Sequence, residues 1–469
     1  MSQPKTFFVK TYGCQMNELD TEVIVGLLEN RGMTRIQEEM DADLLIFNTC
    51  SIRDLAERKV MGKLGKIGRT KQKHAIIGVT GCMANAKKES FFEKLPHVDF
   101  VLGTNNIHDL DHVLDEVIAS GKKTSRTDER FTYELDYLKA KRDDPVKAYV
   151  SIIRGCDKFC TYCVCPYTRG PEVSRHPDSI VEECCRLADK GYREITLLGQ
   201  NVNSYGKDKP EWKCLFHDLL YRIDKESNIS RLRFMTSHPV DITRELMEAI
   251  RDLESVCEFV HFPLQSGSTR ILRKMHRIYT LEQYLEKVQM LRDIVPGVAL
   301  GTDIIVGFPT ETEEEFLMTY QIMKEVIEFS VAFIFAYSPR KGTPAMRWKD
   351  DVPQEVKQDR LHRLMSLQEQ IYAKQRQALL GQDLEVLVER PGTKNPSQLK
   401  GRSRCWKNVV FPGSCDLVGT LQQVTIHSYS HQTLIGEGPS QGRPGKMTAQ
   451  PMRFPEFPVG SLIRSSSSS

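Results

Sequence analysis

Cys156, Cys160 and Cys163 lie in the run Arg154-Gly-Cys-Asp-Lys-Phe-Cys-Thr-Tyr-Cys163, at CxxxCxxC spacing. Such short intervals let one loop fold three thiolates around one inorganic centre at little closure entropy. Three ligands are one short of a structural tetrahedral site, so a cubane iron–sulfur cluster held this way keeps one iron open. An open iron can chelate a small polar ligand and pass it an electron. The spacing also admits a zinc knot with Cys165 as the fourth sulfur, although zinc knots use paired CxxC units.

A second set lies upstream. Cys14, Cys50 and Cys82 each follow a short apolar run, Phe7–Thr11, Leu44–Thr49 and Ala75–Thr80, and each precedes a helix-like segment. Asn17 is positioned to cap a helix reaching about Arg31, with Gly32 as its stop. Strand–cysteine–helix three times over is a βαβα pattern and predicts a parallel sheet, whose strand C-termini share one edge. Three cysteines remote in sequence then meet at that edge, again as three thiolates.

The elements that must position the first triplet follow it. Strand candidates Ala148–Ile153, Glu194–Leu198, Arg231–Met235, Phe259–Leu264, Leu300–Val306 and Val331–Tyr337 alternate with helical stretches, as in an open, partial (β/α)6 barrel. Polar residues fall where the strand C-termini should be: Gln200, Asn201, Ser237, His238, Gln265 and Asp303. As a ring facing one cluster they are candidate ligand contacts; singly, each is also a helix cap or turn residue.

Gly121–Pro145 is charge-rich and aperiodic and reads as a linker or strap, with Phe131, Tyr133 and Tyr137 available to pack it down. A helix is expected from Pro353 to about Leu380, stopped by Gly381, with Arg360, Arg363, Lys374 and Arg376 on a solvated face. From Gln382 to about Gly438, the alternating runs Leu384–Val388, Trp406–Phe411 and Val418–Ile426 predict a small β-barrel. Within it Arg390, Lys394, Lys400, Arg402, Arg404 and Lys407 form a one-sign run around Trp406, a pattern that suits a phosphate backbone. The residues from Ser440 onward read as a disordered tail.

At 469 residues, with 40% hydrophobic and 27% charged content, the chain suits about three domains at a prior of about 150 residues each. A net charge of +3 names no partner. No apolar run approaches the roughly 18 residues of a membrane span, and Met1–Lys10 lacks a secretory leader's apolar stretch. Thirteen cysteines without such a leader predict reduced thiols in a cytoplasmic protein with no membrane partner.

Lys10-Thr-Tyr-Gly-Cys-Gln-Met-Asn17, Asn48-Thr-Cys-Ser51, Gly81-Cys-Met83 and Gly155-Cys-Asp-Lys-Phe-Cys-Thr-Tyr-Cys-Val-Cys-Pro-Tyr-Thr-Arg-Gly170 resemble the methylthiotransferase family of radical S-adenosylmethionine (SAM) enzymes. Leu198–Asn203, Thr236–Pro239, Pro263–Gly267, Thr302–Pro309 and Tyr337–Thr343 match as well, so the resemblance runs from about residue 5 to about residue 440. It implies an α/β enzyme of several parts: an N-terminal doubly wound parallel sheet (1–121), a linker (122–146), a radical SAM barrel (147–380), a TRAM-like RNA-binding β-barrel (381–440) and a tail (441–469). It further implies a SAM-binding 4Fe-4S cluster on Cys156, Cys160 and Cys163, with Tyr162 the usual aromatic before the third cysteine. Gln200, Asn201, Ser237, Gln265 and Asp303 become candidate SAM contacts. An auxiliary 4Fe-4S cluster on Cys14, Cys50 and Cys82 carries the sulfur. SAM then serves both as radical source and as methyl donor, and an electron donor and a sulfur donor are needed.

The Gln15-Met16-Asn17 form after Cys14 is associated with the branch acting on tRNA, at C2 of N6-dimethylallyladenosine 37. Lys400, Arg402, Arg404 and Lys407 would touch its phosphates, and the enzyme is expected to be a monomer. One departure is Cys165, where the family usually carries an apolar residue. Two alternatives stay open: methylthiolation of a ribosomal protein, for which an acidic terminal barrel is expected, and a non-catalytic iron–sulfur RNA-binding sensor.

Overall fold

The computed structural model describes residues 3–51, 54–70, 75–128, 140–393 and 395–438. Phe131, Tyr133, Tyr137, Lys394 and the tail from Ser440 lie outside these ranges. No helix among the described residues is long and apolar enough to cross a membrane.

Six parallel strands open the chain: β1 Thr6–Thr11, β2 Thr34–Arg35, β3 Leu44–Thr49, β4 Ile76–Gly81, β5 Phe100–Leu102 and β6 Thr124–Arg126. Their order is β2-β1-β3-β4-β5-β6, so the winding reverses between β1 and β3. In such a sheet the crevice at that reversal is where ligands bind. β3 and β4 are buried throughout, as central parallel strands covered on both faces must be. β6 falls inside the segment expected as linker, so this unit runs on to Arg126 rather than ending at Gly121.

Asn17 is not the cap of the first helix. That helix spans Gln15–Asn30 with Cys14 at its N-cap position, and Asn17 is fully buried inside it. Its amide instead binds the Asn48 side chain and the Thr49 carbonyl, at 2.9 and 3.0 Å.

The middle of the chain holds β7 Lys147–Ser151, β8 Ile153–Arg154, β9 Val173–Ser174, β10 Glu194–Leu198, β11 Arg231–Phe234, β12 Phe259–His261, β13 Ala299–Val306 and β14 Val331–Ala336. Two parallel triplets, β11-β10-β7 and β12-β13-β14, meet at a parallel bridge between Leu232 and Val256. The result is the expected six-stranded open barrel. The outer helices and strands share a large apolar core that includes Val150, Ile195, Leu232, Val260 and Ile304. β8 and β9 form a short antiparallel pair that brackets the CxxxCxxC loop.

The long helix spans Gln354–Ala378 directly after Pro353. Its cations do not share one solvated face as expected. Arg360 is buried and pairs with Glu311 and Glu313 at 2.9 and 3.2 Å, and Arg376 is buried as well. Those acids follow the β13 turn, too far away in sequence to be read as partners.

Five strands close the C-terminal barrel: β15 Asp383–Pro391, β16 Gln398–Ser403, β17 Asn408–Pro412, β18 Leu421–Ser430 and β19 Thr433–Glu437, in the order β15-β16-β17-β19-β18. β16 escapes a hydropathy reading because its inward positions include Gly401 and Ser403 beside Leu399. Trp406, expected in a strand, sits in the β16–β17 turn at φ +70°.

Candidate active site between two cysteine triplets

Strand register brings the upstream cysteines together. Thr11 lies opposite Asn48 and Thr49 opposite Gly81, so Cys14, Cys50 and Cys82 leave three adjacent strands at one edge. The approach is close enough that a Cβ built on Gly13, at φ +135°, would lie 2.7 Å from the Cys50 Cβ. Only glycine fits there. The Asn17–Asn48 pair, with Asn48 also donating to the Asn17 carbonyl at 2.8 Å, locks the first two loops. Burial pushes the Cys14 thiol up, while the Arg169 guanidinium acts in the opposite sense.

Arg169 arrives from the CxxxCxxC segment, not from this sheet. Its side chain is buried and its Nη2 lies 3.1 Å from Asp20 Oδ2 and 3.4 Å from Asn17 Oδ1, with Cys82 a further hydrogen-bond partner. Nη1 of Arg169 and the hydroxyls of Ser51 and Thr80 are buried beside the triplet with no hydrogen-bond partner among the described residues. Buried polar atoms are nearly always paired, so orphans concentrated here fit a polar, sulfur-rich group in that space.

The CxxxCxxC loop is held from several sides. Gly155 sits at φ +78°, where a Cβ would fall 1.8 Å from the Pro171 carbonyl oxygen, and its N–H donates to Gln200 Oε1 at 2.6 Å. The Cys156 amide donates to the Gly170 carbonyl, and the Thr161 amide and hydroxyl donate to the Met275 and Lys274 carbonyls. Arg277, a buried residue the sequence reading missed, places Nη1 3.5 Å from the Cys160 sulfur, Nη2 3.2 Å from the Pro263 carbonyl and Nε 3.0 Å from the Tyr279 hydroxyl. Burial raises Cys156 strongly. Cys163 is lowered, first by a hydrogen bond from the Cys165 thiol, and Cys165 is raised by the same bond. Cys165 is thus a neighbour and donor to Cys163, with its amide also 3.4 Å from that sulfur.

The two triplets face each other. The helix Cys82–Lys87 packs on the helix Cys165–Arg169. Asn85 Nδ2 and Thr104 Oγ1 both donate to the Thr168 carbonyl, and Arg154 Nη2 donates to the Thr104 carbonyl at 2.8 Å. Cys165 and Cys82 are close enough to feel each other's charge. All six thiols are free. Among the described residues no three His, Cys, Asp or Glu side chains converge as one bound metal ion requires; a cubane, which spreads its thiolates over separate irons, sets a wider spacing.

Of the candidate SAM contacts, Gln200, Asn201, Ser237 and Gln265 lie after consecutive strands of the barrel, whereas Asp303 lies within β13. Gln200 is engaged with Gly155. Asn201 donates to Asp241 at 2.8 Å, and that carboxylate also pairs with Lys158 and Lys207, which hold it well below the usual range against its burial. Asp303 Oδ2 lies 3.3 Å from His261 Nε2. Asn201 Oδ1, Ser237 Oγ, His238 Nε2 and Gln265 Oε1 are all buried and have no hydrogen-bond partner among the described residues. Gln265 also holds φ +70°, a conformation that costs energy for a non-glycine residue and recurs at ligand sites. Tyr162 packs with Ile271, Met275, Phe308 and Tyr337 under the loop.

Part of the basic run of the terminal barrel is engaged within the protein. Arg404 pairs with Glu258 at 2.7 Å and donates to the Val256 carbonyl at 2.6 Å. Lys407 Nζ reaches Gln375 Oε1 at 2.9 Å, and burial lowers its pKa. Arg402 stacks over Trp406 at 4.3 Å from the ring centroid and lies 3.6 Å from Glu389. The β16–β17 turn is seated on the six-stranded open barrel, so Arg404 and Lys407 are not free for phosphates. Lys400, half-buried, and Arg390, exposed, sit opposite each other on β16 and β15. Sequence gave no sign of this docking, because the partner Glu258 lies so far upstream.

The chain matches the model of an uncharacterized protein family (UPF0004) over residues 6–103 and that of the radical SAM superfamily over residues 150–323. It is 75% identical over 437 residues to the tRNA-2-methylthio-N(6)-dimethylallyladenosine synthase of Protochlamydia amoebophila (strain UWE25), covering 93% of this chain and 97% of that protein. The protein of the same name from Clostridium botulinum (strain Loch Maree / Type A3) is 46% identical over 435 residues, with 92% and 96% covered. Among solved structures, a radical S-adenosylmethionine methyltransferase from Kitasatospora setae superposes with TM-score 0.53 at 13% identity, covering 73% of this chain and 74% of that one, a likeness of fold.

Proposed function

The chain belongs to the family of tRNA-2-methylthio-N(6)-dimethylallyladenosine synthases, and from that membership we propose that it replaces the C2 hydrogen of N6-dimethylallyladenosine 37 of tRNA with a methylthio group. The observation that carries this reading is the seating of the Arg154–Gly170 segment on the edge where Cys14, Cys50 and Cys82 emerge, through Arg169–Asp20 and Asn85–Thr168. Carbon–hydrogen activation and sulfur delivery need two centres that share one substrate, and two facing three-thiol sets support that arrangement.

When bound, a cluster on Cys156, Cys160 and Cys163 supplies an open iron for SAM and the electron that cleaves it, and a second on Cys14, Cys50 and Cys82 supplies an open iron for the transferred sulfur. The chain's own residues orient these groups. Arg277 fixes the Cys160 sulfur, Gln200 holds Gly155 and so the entry of the loop, and Tyr162 fills the apolar floor. The unpartnered oxygens of Asn201, Ser237 and Gln265, with the His238 nitrogen, suit the polar edges of SAM. A second SAM serves as methyl donor, and an external reductant and sulfur donor are required.

The test is anaerobic incubation of the iron-reconstituted protein with SAM, a reductant, a sulfur source and prenylated tRNA, followed by nucleoside mass spectrometry. A 2-methylthio adduct on the prenylated adenosine is expected. Its absence, or a methylthio group on a ribosomal protein offered alongside, overturns the proposal.

A further inference from the structure

Phe159 and Tyr167 flank the second half of the CxxxCxxC loop, and both project outward. They are 48% and 50% exposed, and their rings meet edge to face with centroids 6.3 Å apart. Large open aromatics are scarce in this fold: among the described residues only Tyr221, Phe333 and Trp348 are comparable. Phe159 also holds φ +48°, the left-handed region that a bulky side chain adopts only under constraint. A constrained backbone that turns an aromatic ring toward solvent, one residue before a candidate cluster ligand, marks a contact surface rather than core.

The surroundings are cationic. Arg273 and His276 are exposed and Lys274 is half-buried, at the end of the helix Thr269–Lys274. That helix end is tied to the loop by the Thr161–Met275 and Thr161–Lys274 bonds and by His276 Nδ1, 3.2 Å from the Lys158 carbonyl. Of the nearby carboxylates, Asp350 pairs with Lys357, while Asp157 is exposed and accepts from the Glu172 amide at 3.3 Å. Open rings beside cations are how proteins grip unpaired nucleic acid, because every base offers a π-face and every linkage a charge.

Resting on the function proposed above, we infer that Phe159 and Tyr167 form the stacking platform for an unpaired anticodon-loop base flanking the target adenosine, with Arg273 and Lys274 on the adjoining phosphates. This assigns RNA recognition at the reaction centre to the cysteine loop itself, whereas Arg404 and Lys407 of the terminal barrel are committed to its docking. The position suits a base flanking the modified one, because Phe159 and Tyr167 bracket Cys160 and Cys163 in the chain.

The test uses the full chain with both clusters reconstituted and a prenylated anticodon stem-loop RNA, with Kd read by fluorescence anisotropy. Phe159→Ala and Tyr167→Ala should each raise Kd about tenfold, and Phe159→Tyr and Tyr167→Phe should restore it to within about twofold. An RNA with an abasic flanking position should lose about tenfold on the wild type and nothing further on the alanine variants. Tyr167→Ala lies outside the cysteine spacing, so it keeps the test decisive if Phe159→Ala loads less iron. Unchanged Kd in both alanine variants, a loss not restored by the aromatic replacements, or penalties that add to the abasic one overturn the inference while leaving the function intact. Failure of the wild type to bind either RNA removes the functional reading, and this inference with it.

Discussion

Trp406 lies stacked on Phe259, with ring centroids 5.2 Å apart and planes 18° from parallel. One ring belongs to the terminal barrel's β16–β17 turn and the other to the first residue of β12, so the contact joins two units far apart in sequence. Arg233 covers the Trp406 ring at 5.0 Å and donates to the Ser403 and Arg404 carbonyls at 2.8 and 2.7 Å. Arg231, fully buried, does the same for the Arg402 carbonyl and pairs with Glu385 at 2.8 Å. Such fixing commits the orientation of the small barrel to the large one.

Removing the tryptophan should therefore act on stability. Trp406→Ala deletes a stacked, doubly cation-covered ring and should cost about 2–4 kcal/mol, read as a lower denaturation midpoint in urea. Arg390→Gln and Lys400→Gln should stay within about 0.5 kcal/mol. If the barrel contacts tRNA phosphates, the same pair should flatten the salt dependence of binding by roughly one log–log unit each, or slightly less. A destabilised Lys400→Gln with an unchanged salt slope would place that residue with the docking cations.

Much of the architecture was legible because its signals are local. Apolar runs ending in cysteine gave β1, β3 and β4, and the six barrel strands lie within a few residues of their sequence positions. What failed was non-local. Asn17 looks like a helix cap until Asn48 is beside it, and Arg360 looks solvated until Glu311 meets it. The run from Arg402 to Lys407 reads as an RNA surface because the acid it faces, Glu258, lies in another unit. Arg169 and Arg277 escaped notice for the same reason, since nothing in the sequence tells a buried arginine from an exposed one. Arg169 could have been raised only by its place just after the cysteine motif, and Arg277, more than a hundred residues downstream, carried no such signal.

Metal content should divide between the triplets. The reconstituted chain is expected to carry about eight irons, and the Cys156→Ala/Cys160→Ala/Cys163→Ala variant about four. That variant should lose SAM cleavage to 5′-deoxyadenosine, whereas replacing Cys14, Cys50 and Cys82 should spare cleavage and abolish methylthio transfer. Chelating the iron from the wild type should abolish both. Loss of cleavage in the upstream variant would break the division of labour.

Acid should weaken the fold through His238. Burial, reinforced by the Arg277 charge, pushes this imidazole down to about 2, against about 6.5 in an unfolded chain. Above that unfolded value the ring is neutral in both states and its contribution is complete. As pH falls below it, the unfolded chain takes a proton the folded one refuses, so stability declines steadily toward acid. His238→Gln keeps an acceptor for the Val240 amide, which the imidazole Nδ1 accepts at 3.3 Å, and removes the titration. Between pH 7 and pH 5 the wild type should lose about 1–2 kcal/mol more than this variant. Parallel pH profiles in urea denaturation would assign the acid sensitivity elsewhere.

Substrate choice turns on the prenyl group. On the proposed function, the target adenine would lie between the two cysteine triplets. A dimethylallyl chain buried there gains about 0.8 kcal/mol per methylene-sized group, which over its carbons favours prenylated over plain tRNA by roughly a hundredfold or more in kcat/KM. The expectation is methylthio transfer to C2 of N6-dimethylallyladenosine 37 and little to unprenylated tRNA. Competition between the two tRNAs in one anaerobic reaction, with purified ribosomal small subunits present and products read by mass spectrometry, measures the ratio directly. Equal turnover of the two tRNAs would mean that recognition rests on the loop bases alone and that the prenyl group passes unread.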